Sequence, residues 1–535
     1  MNQTVQVPGV NRASAPCVIP SRRPLARALG QALPGAVLLS AGLLASPALL
    51  AATYQVTNIG DSGAGSLRDA INQANANPGA DTITFSSSVT GTIGLTSGTL
   101  LITDDLDIQG PGAAALTVDG SGISVPLTGG RHHGGKGENG KSGGSATNGV
   151  PGTGTSVFTV GSGSPPGGNA TQQAQASFTV SISGLTISGG TSTDGGGIYA
   201  YDTDLTVSQC VVSGNTATDL GGGIAVRGYS ASLLLTDSTV SNNTAYYGGG
   251  VGTTSAAITI QRSTIANNTA TTSSYYGGGG IMVHNDNNNM LTVTDSTISG
   301  NSSSYNGGGI MVRHTAANIS NSTVTGNTAA NYGGGLYFHG VYSGTTVTNS
   351  TITGNQASYG GGLSTSYSSS YASASNSVFG GNSASGSDPD MHTENSYIVL
   401  DHSLVQAPGG ATITDNGGNL MNQAPMLGGL ANNGGPTLTH LPLAGSPLID
   451  AGDPAFTGPP NNDQRGAGYP RIVNGVVDIG ATEYAAAAPP GPGPVGYVPV
   501  PGLGDAGKLG LGALLGLAGL AVARRRRALA PRRRA

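Results

Sequence analysis

The stretch STISGNSSSYNGGGIMV, Ser296 to Val312, joins an alternating segment ending on Asn301 to a tyrosine, three consecutive glycines (Gly307 to Gly309) and an apolar strand. The arrangement recurs. The last glycine of each triplet falls at Gly197, Gly223, Gly250, Gly280, Gly309, Gly335 and Gly362, in steps of 26 to 30 residues. A second marker, the asparagine closing each short run, falls at Asn215, Asn243, Asn268, Asn301, Asn327, Asn355 and Asn382. Two independent markers with one period identify a solenoid. Each unit reads as three short segments, as in GGGIMVRH, ANISNST and TVTGN, whose alternation sends apolar side chains one way and polar ones the other. None is long enough for a helix. The reading is an all-β, right-handed parallel β-helix with coils about 4.8 Å apart, its hand following the crossover rule. The glycines serve corners that need positive φ or close backbone approach. Asparagine at the other corner tolerates left-handed backbone and is placed to hydrogen-bond from coil to coil.

The open end of such a solenoid must be covered. In GSLRDAINQANANPGADTITF, Ser66 stands as helix cap with Asp69 three residues on. Leu67, Ala70, Ile71 and Ala74 form one apolar face before Asn77-Pro78-Gly79 stops the helix. This predicts a short amphipathic plug ahead of the strand around Ile83.

Composition agrees with a repeat that needs little bulky core. Glycine supplies 91 of 535 residues, charged residues only 9%, and there is no tryptophan. The ends differ from the middle. Residues 1–52 hold Arg12, Arg22, Arg23 and Arg27 and no acid, then an apolar run, the pattern of a signal peptide cleaved after Ala52. Within it SRRPLAR resembles a twin-arginine export signal, an ordinary basic leader being the alternative. At the other end Leu509 to Ala523 is apolar, about 22 Å long as a helix against a hydrocarbon core of about 30 Å, and seven arginines follow. Those arginines are expected to stay cytoplasmic, with the body outside. Residues 53–508 keep 10 basic against 26 acidic side chains. That acidic body excludes nucleic-acid binding through phosphate neutralisation. Cys17 leaves with the leader, so Cys210 is alone and no disulfide framework exists.

Some motifs resemble known families. APMLGGLANNGGPTLTHLPLAGSPLIDAGDP followed by DQRGAGYPRIVNGVVDIGATEY, about Ala424 to Tyr484, resembles the choice-of-anchor Q domain, with Asp450, Asp453, Asp463, Arg465, Asp478 and Glu483 in order and Thr482 where an aromatic is usual. The GGGI and [IV]-x-x-N units are similar to polymorphic outer-membrane protein repeats, an adhesin-associated pattern. VPGLGDAG resembles the signature of IPTL-CTERM sorting tails through Val500, Pro501, Leu503 and Gly507, with Asp505 for Glu and Ala506 for the signature Trp. The resemblance implies processing by an exosortase-type enzyme in a Gram-negative envelope, with the tail as membrane anchor until it is cut.

The expected organisation is therefore a signal peptide (1–52), an N-terminal cap and first coils (53–127), a Gly-rich insertion (128–175), β-helix repeats (176–405), a choice-of-anchor Q-like module (406–484), a Pro/Gly linker (485–499) and a sorting or anchor tail with a short transmembrane-like helix (500–535).

Alternation also nominates a site. After each triplet the outward positions form two rows: Tyr201, Arg227, Thr254, His284, Arg313, His339 and Ser366, and beside them Tyr199, Ala225, Gly252, Met282, Met311, Tyr337 and Ser364. Tyr247, Tyr276, Tyr305, Tyr332 and Tyr359 cluster at the adjoining glycine corner. A ribbon of Arg, His and Tyr on an acidic body suits an extended glycan, with rings against sugar faces and Arg227 and Arg313 on acidic groups. The expected binding set is Tyr199, Tyr201, Arg227, His284, Arg313, Tyr337 and His339. The plain alternative is that exposed strands favour tyrosine and the basic residues relieve repulsion.

Other motifs carry less. GKGENGKS, with Gly135, Gly140, Lys141 and Ser142, fits a phosphate-loop expression but lacks the flanking strand and helix that mechanism needs. Asp237, Arg262 and Asp295 share a slot in successive coils, read as a charge ladder rather than catalytic machinery. His284 to Asn289 has one acid, poor for Ca²⁺, and the acids of the C-terminal module either bind Ca²⁺ or clamp its turns. No other cofactor is expected. The function expected is an exported surface protein, adhesin-like or glycan-binding, with a carbohydrate or a host or cell-surface ligand as partner. A polysaccharide lyase or glycoside hydrolase on the same scaffold, and a structural surface filament, are the alternatives.

Overall fold

The structure, a computed structural model, describes residues 51–123, 155–161, 178–284, 290–341, 344–367 and 370–484. Outside the described residues lie the leader to residue 50, the GKGENGKS motif, Asn285 to Asn289 of the candidate Ca²⁺ loop, the linker, the apolar tail segment and the sorting residues Val500, Pro501, Leu503 and Gly507. Among the described residues no helix is long and apolar enough to cross a membrane.

The chain winds as a right-handed parallel β-helix in which every strand pairs with its counterpart one coil on. Each full coil contributes to four ladders, not the three expected. In the coil of the opening stretch these are Leu291–Thr294, Thr297–Ser299, Ser302–Ser303 and Ile310–Arg313. They belong to sheets of 13, 12, eight and ten strands respectively. The extra ladder escaped the alternation pattern because in four coils its strand has two residues, as at Thr244–Ala245 and Ser302–Ser303. Two residues show no period. Within the stretch expected as insertion, Phe158–Val160 joins the ten-stranded sheet between Leu100–Ile102 and Ile198–Tyr201.

Inward side chains stack like on like. Leu233, Ile258, Leu291 and Ala317 follow one another in register, each fully or almost fully buried. The helix α1, Leu67–Ala76, closes the N-terminal end as expected: Ser66 Oγ accepts the Asp69 N–H at 3.1 Å, and Leu67, Ala70, Ile71 and Ala74 are its buried residues.

The three glycines of a triplet serve three different needs. Gly248 has φ +61°, the left-handed region. At Gly249 a Cβ would meet the Gly279 carbonyl oxygen and Thr269 backbone at 2.5 Å, and at Gly250 the Gly280 oxygen at 2.7 Å. The coils approach too closely there for any side chain. At the second corner the asparagines form a buried ladder. Asn268 Nδ2 donates to Asn301 Oδ1 (3.0 Å), and Asn301 Nδ2 to Asn327 Oδ1 (2.9 Å). Asp390 ends it, taking Asn382 Nδ2 at 2.8 Å.

The third corner carries a ladder that sequence reading overlooked. The N–H of Ser238 donates to Ser263 Oγ (3.2 Å), that of Ser263 to Ser296 Oγ (3.1 Å), and so on through Ser322, Ser350, Ser377 and Ser403. Cys210, buried, occupies the same slot one coil before Ser238, its N–H on Ser238 Oγ at 3.1 Å. The residue preceding each serine turns through positive φ: Asp237 at 50°, Arg262 at 45°, Asp295 at 51° and Asn321 at 52°.

Beyond Met421 the chain leaves the coils and lies along the outer face of the 12-stranded sheet. Gln464 bonds Thr323 (2.6 Å) and Thr297 (3.0 Å), His440 Nε2 lies 3.1 Å from Thr325 Oγ1, and the Ala481 N–H donates to Thr351 Oγ1 (3.0 Å). Leu448 and Ile479 pack on Val378 and Leu404. One lateral face of the solenoid is thus closed by its own C-terminal segment.

Candidate functional site

The ten-stranded sheet holds the residues nominated by alternation, and register aligns them as expected: Arg227 beside Thr254, then His284, Arg313 and His339. Their surroundings differ from the expectation of an exposed ribbon. Ala225, Met282, Met311, Tyr337 and Ser364 point away from the lumen yet are buried. The cover comes from the glycine corner, whose tyrosines fold back over the strands. Tyr247, Tyr246 and Tyr276 close over Leu220, Ala225 and Met282 as a second apolar cluster, with Tyr199 at its side. Tyr246 and Tyr276 each meet Tyr247 edge to face, at 4.6 and 5.7 Å.

Arg227 is already neutralised. Its guanidinium takes Asp194 at 2.9 Å and Asp219 at 3.0 Å and also reaches Thr254 Oγ1 (3.2 Å). Burial alone would lower its pKa, but the two carboxylates outweigh burial and raise it. Tyr199 sits in the same half-buried pocket, its pKa raised by burial and by Asp194. Tyr201 is half-buried, its phenol raised by burial and by Asp202.

Tyr337 and His339, expected on the surface, are interior. Tyr337 is fully buried, its hydroxyl 2.8 Å from both Tyr275 Oη and Ser366 Oγ. His339 is 6% exposed, with Nδ1 2.9 Å from Ser366 Oγ and 3.2 Å from Tyr275 Oη. Burial, with Arg313, His314 and His284 close by, brings its pKa down to about 4, so it stays neutral at physiological pH.

Arg313 stands apart. Its guanidinium lies 4.6 Å above the Tyr276 ring and touches the Tyr276 hydroxyl, and Nη1 is 3.4 Å from His284 Nε2. Nε is buried without a hydrogen-bond partner, and no carboxylate pairs with this guanidinium among the described residues. His314 bridges the group, its ring 5.9 Å from both His284 and His339. Tyr367, 54% exposed, stands 6.3 Å from His314 and 5.4 Å from His339. The candidate site is therefore Tyr276, His284, Arg313, His314 and Tyr367 over a floor of Tyr275, Tyr337 and His339. Of these, Tyr275, His314 and Tyr367 were missed: His314 turns through φ 53° and Tyr367 through φ 90°, where strand alternation no longer tells direction. The group offers hydrogen-bond donors, a delocalised cation and ring faces, a set that matches an anionic, polyhydroxylated ligand.

The other charged clusters hold the fold. Arg262 pairs with Asp237 at 2.6 Å, while Asp295 turns to Asn321 (2.6 Å). In the C-terminal module the carboxylates receive backbone donors: Asp463 that of Glu483 (2.9 Å), Glu483 that of Asp478 (3.0 Å), Asp478 that of Asp450 (2.7 Å) and Asp453 that of Ala455 (2.8 Å). Asp463 also pairs with buried Arg465. Cys210 is sealed in the core, burial pushing its thiol up to about 12, out of reach of nucleophilic chemistry. Among the described residues no three His, Cys, Asp or Glu side chains converge on a point suited to a metal ion.

Comparison with known proteins bears on the fold. A family model described as "Right handed beta helix region" matches residues 169–328. The chain is a parallel β-helix repeat protein. No curated protein matches its sequence. Among solved structures, the crystal structure of pectate lyase Pel9A is similar at a TM-score of 0.39 and 14% identity, over 81% of this chain and 96% of that one. At that level the likeness says nothing of what this β-helix acts on.

Proposed function

We propose that this is an exported Gram-negative envelope protein, displayed at the cell surface or released from it, which binds an extended acidic glycan in an adhesin-like role. The observation that carries the proposal is Arg313. It is a guanidinium with a buried Nε that has no hydrogen-bond partner and, among the described residues, no carboxylate on it, with aromatic rings beside it. A cation left without a carboxylate among the described residues of an acidic body invites an anionic group from outside, and planar bidentate recognition of carboxylate is what guanidinium does best. Arg227, in the same row, has its anions already and is assigned to stability instead. The leader and the IPTL-CTERM-like tail support export and envelope sorting on sequence grounds.

The test is a glycan array probed with the full secreted chain and its Arg313→Ala variant. Acidic glycans should bind, and the variant should lose about 10- to 100-fold in affinity, the scale of one charge-assisted contact. Equal binding by the two proteins refutes the site. Incubation with pectin, alginate and hyaluronan adds a second arm: unsaturated or new reducing ends would replace binding by cleavage as the activity. Intact mass of the secreted protein reports whether leader and tail are removed.

A further inference from the structure

The outer face of the 13-stranded sheet is lined by short polar side chains, as at Thr259, Thr292, Asn318 and Thr346. Near the C-terminal end this changes. Tyr371 and Tyr397 are register partners in adjacent coils, and their rings stack with centroids 5.2 Å apart and planes 9° from parallel. The stack is two rings long and no longer. Extending the register one coil back sets Gly344 beside Tyr371, and one coil forward sets Thr412 beside Tyr397. Tyr397 remains 37% exposed. Its unstacked side opens on a shallow cleft of about 590 Å³ lined by Asn395, Ser396, Tyr397, Thr412 and Thr414.

We infer that this cleft is a second carbohydrate subsite, separate from the Arg313 cluster, that takes a neutral pyranose ring stacked on Tyr397. The chemistry of the lining selects the ligand. A flat phenol face favours the C–H face of a sugar, and the polar rim supplies its hydroxyl partners. No side chain lining the cleft is charged. Among the described residues the Asn395 amide and the Thr412 and Thr414 hydroxyls make no side-chain hydrogen bond, leaving donors and acceptors for a ligand. Ser396 is committed, its hydroxyl donating to the Thr365 carbonyl at 2.8 Å, and so holds the cleft wall. Glu394 and Asp415 flank the cleft in sequence, which disfavours an anionic ligand here and separates this subsite from the Arg313 cluster in specificity.

The test uses the full chain and saturation-transfer NMR with cellohexaose, xylohexaose and mannohexaose. At least one should bind weakly, in the millimolar range common for a single shallow sugar contact, with transfer strongest to ring C–H protons. Tyr397→Ala should weaken it about tenfold, the worth of one aromatic stacking contact, while Tyr397→Phe retains it. Thr412→Tyr adds a third ring to the stack on an exposed strand, preserves the fold and should abolish binding by filling the cleft. Arg313→Ala should leave it unchanged. Binding that survives Thr412→Tyr, or the absence of binding by all three oligosaccharides, overturns the subsite. Loss in Arg313→Ala rather than in the Tyr397 and Thr412 variants also overturns it, by moving neutral-sugar binding to the other face. None of these outcomes touches the acidic-glycan reading, which stands or falls on the array.

Discussion

Replacing Asn301 by alanine measures how much the buried amide ladder contributes. Asn301 Nδ2 donates to the Ile265 carbonyl (2.9 Å) and to Asn327 Oδ1 (2.9 Å), while its Oδ1 accepts both the N–H and the Nδ2 of Asn268 (2.9 and 3.0 Å). The side chain is 1% exposed, so water does not replace it. Alanine leaves the Asn268 N–H and one Asn268 amide hydrogen unsatisfied; the Ile265 carbonyl keeps its ladder partner and Asn327 Oδ1 keeps the Asn301 N–H at 3.0 Å. Two orphaned buried groups at about 1–3 kcal/mol each, partly relieved by relaxation, give about 2–4 kcal/mol. Asn267 supplies the control. It precedes Asn268 in the coil before, is exposed, at φ 57°, and its loss should cost about 1 kcal/mol from the left-handed backbone alone. The assay is urea unfolding followed by far-UV circular dichroism, with hydrogen exchange locating the loosened coils because solenoids need not unfold in one step. Equal costs for Asn267→Ala and Asn301→Ala would refute the reasoning, since the ladder would then add nothing beyond backbone preference.

Two further predictions concern the buried charges and the corners. Three buried carboxylates (Asp463, Asp478 and Glu483) face two buried guanidiniums (Arg465 and Arg471), which leaves one negative charge in excess unless a carboxyl keeps its proton. Glu483 keeps it: burial pushes its pKa up to about 8 despite Arg471. A raised folded-state pKa means stability fully present below the unfolded value near 4.3 and lost progressively as pH rises to about 8, on the order of 5 kcal/mol in all. Glu483→Gln should therefore flatten the pH dependence of the denaturation midpoint between about pH 4 and 8, the interval between the two pKa values; an unchanged profile assigns the proton elsewhere. At the corner, Gly279→Ala drives a Cβ to 2.3 Å from the Gly308 carbonyl oxygen and 2.5 Å from that of Ser302, both backbone, and should prevent folding or cost several kcal/mol. Gly94→Ala, with open space and no positive φ, should change stability by less than about 1 kcal/mol. Thermal melts separate the two, and similar behaviour would remove the close-approach account of the triplets.

How much of this was legible depends on whether the deciding contact is local or repeats. The cap was legible because Ser66, Asp69 and the apolar face of α1 lie within one helix and obey one period. The glycine and asparagine corners were legible because each marks every coil. The serine ladder is equally periodic, but the residue before it is the more conspicuous. Asp237, Arg262 and Asp295 differ in charge and draw the eye, while the invariant feature of that slot is its positive φ and the serine behind it. The C-terminal strap was not legible in position. Gln464 meets Thr323 from 141 residues away, and no periodicity links them.

The candidate site shows the same limit at the scale of single side chains. Arg227 and Arg313 stand in one register row, two coils between them, and alternation assigns them one role. Their fates diverge through neighbours in the adjoining ladder. Asp194 and Asp219 reach Arg227 from the eight-stranded sheet, where they occupy Thr191–Asp194 and Thr216–Leu220. The corresponding strands beside Arg313, in the coil before it and in its own, are Thr269–Ala270 and Ser302–Ser303, which carry no acid. Among the described residues, a shorter strand in one ladder thus leaves a guanidinium in the next without a carboxylate. Register determines which side chains stand in line, but the charge state of a row in a β-helix is set across the corner, by the lengths and residues of the strands on the other side of the glycines. An acid placed within the two-residue strand of Arg313's own coil does not reverse this: Ser303→Asp should fail, because Ser303 is buried, and an acid at exposed Ser302 faces solvent. Among the described residues, the two carboxylates on Arg227 come from the strand Thr191–Asp194 and its longer, bulged neighbour Thr216–Leu220, and no strand of that length stands beside Arg313.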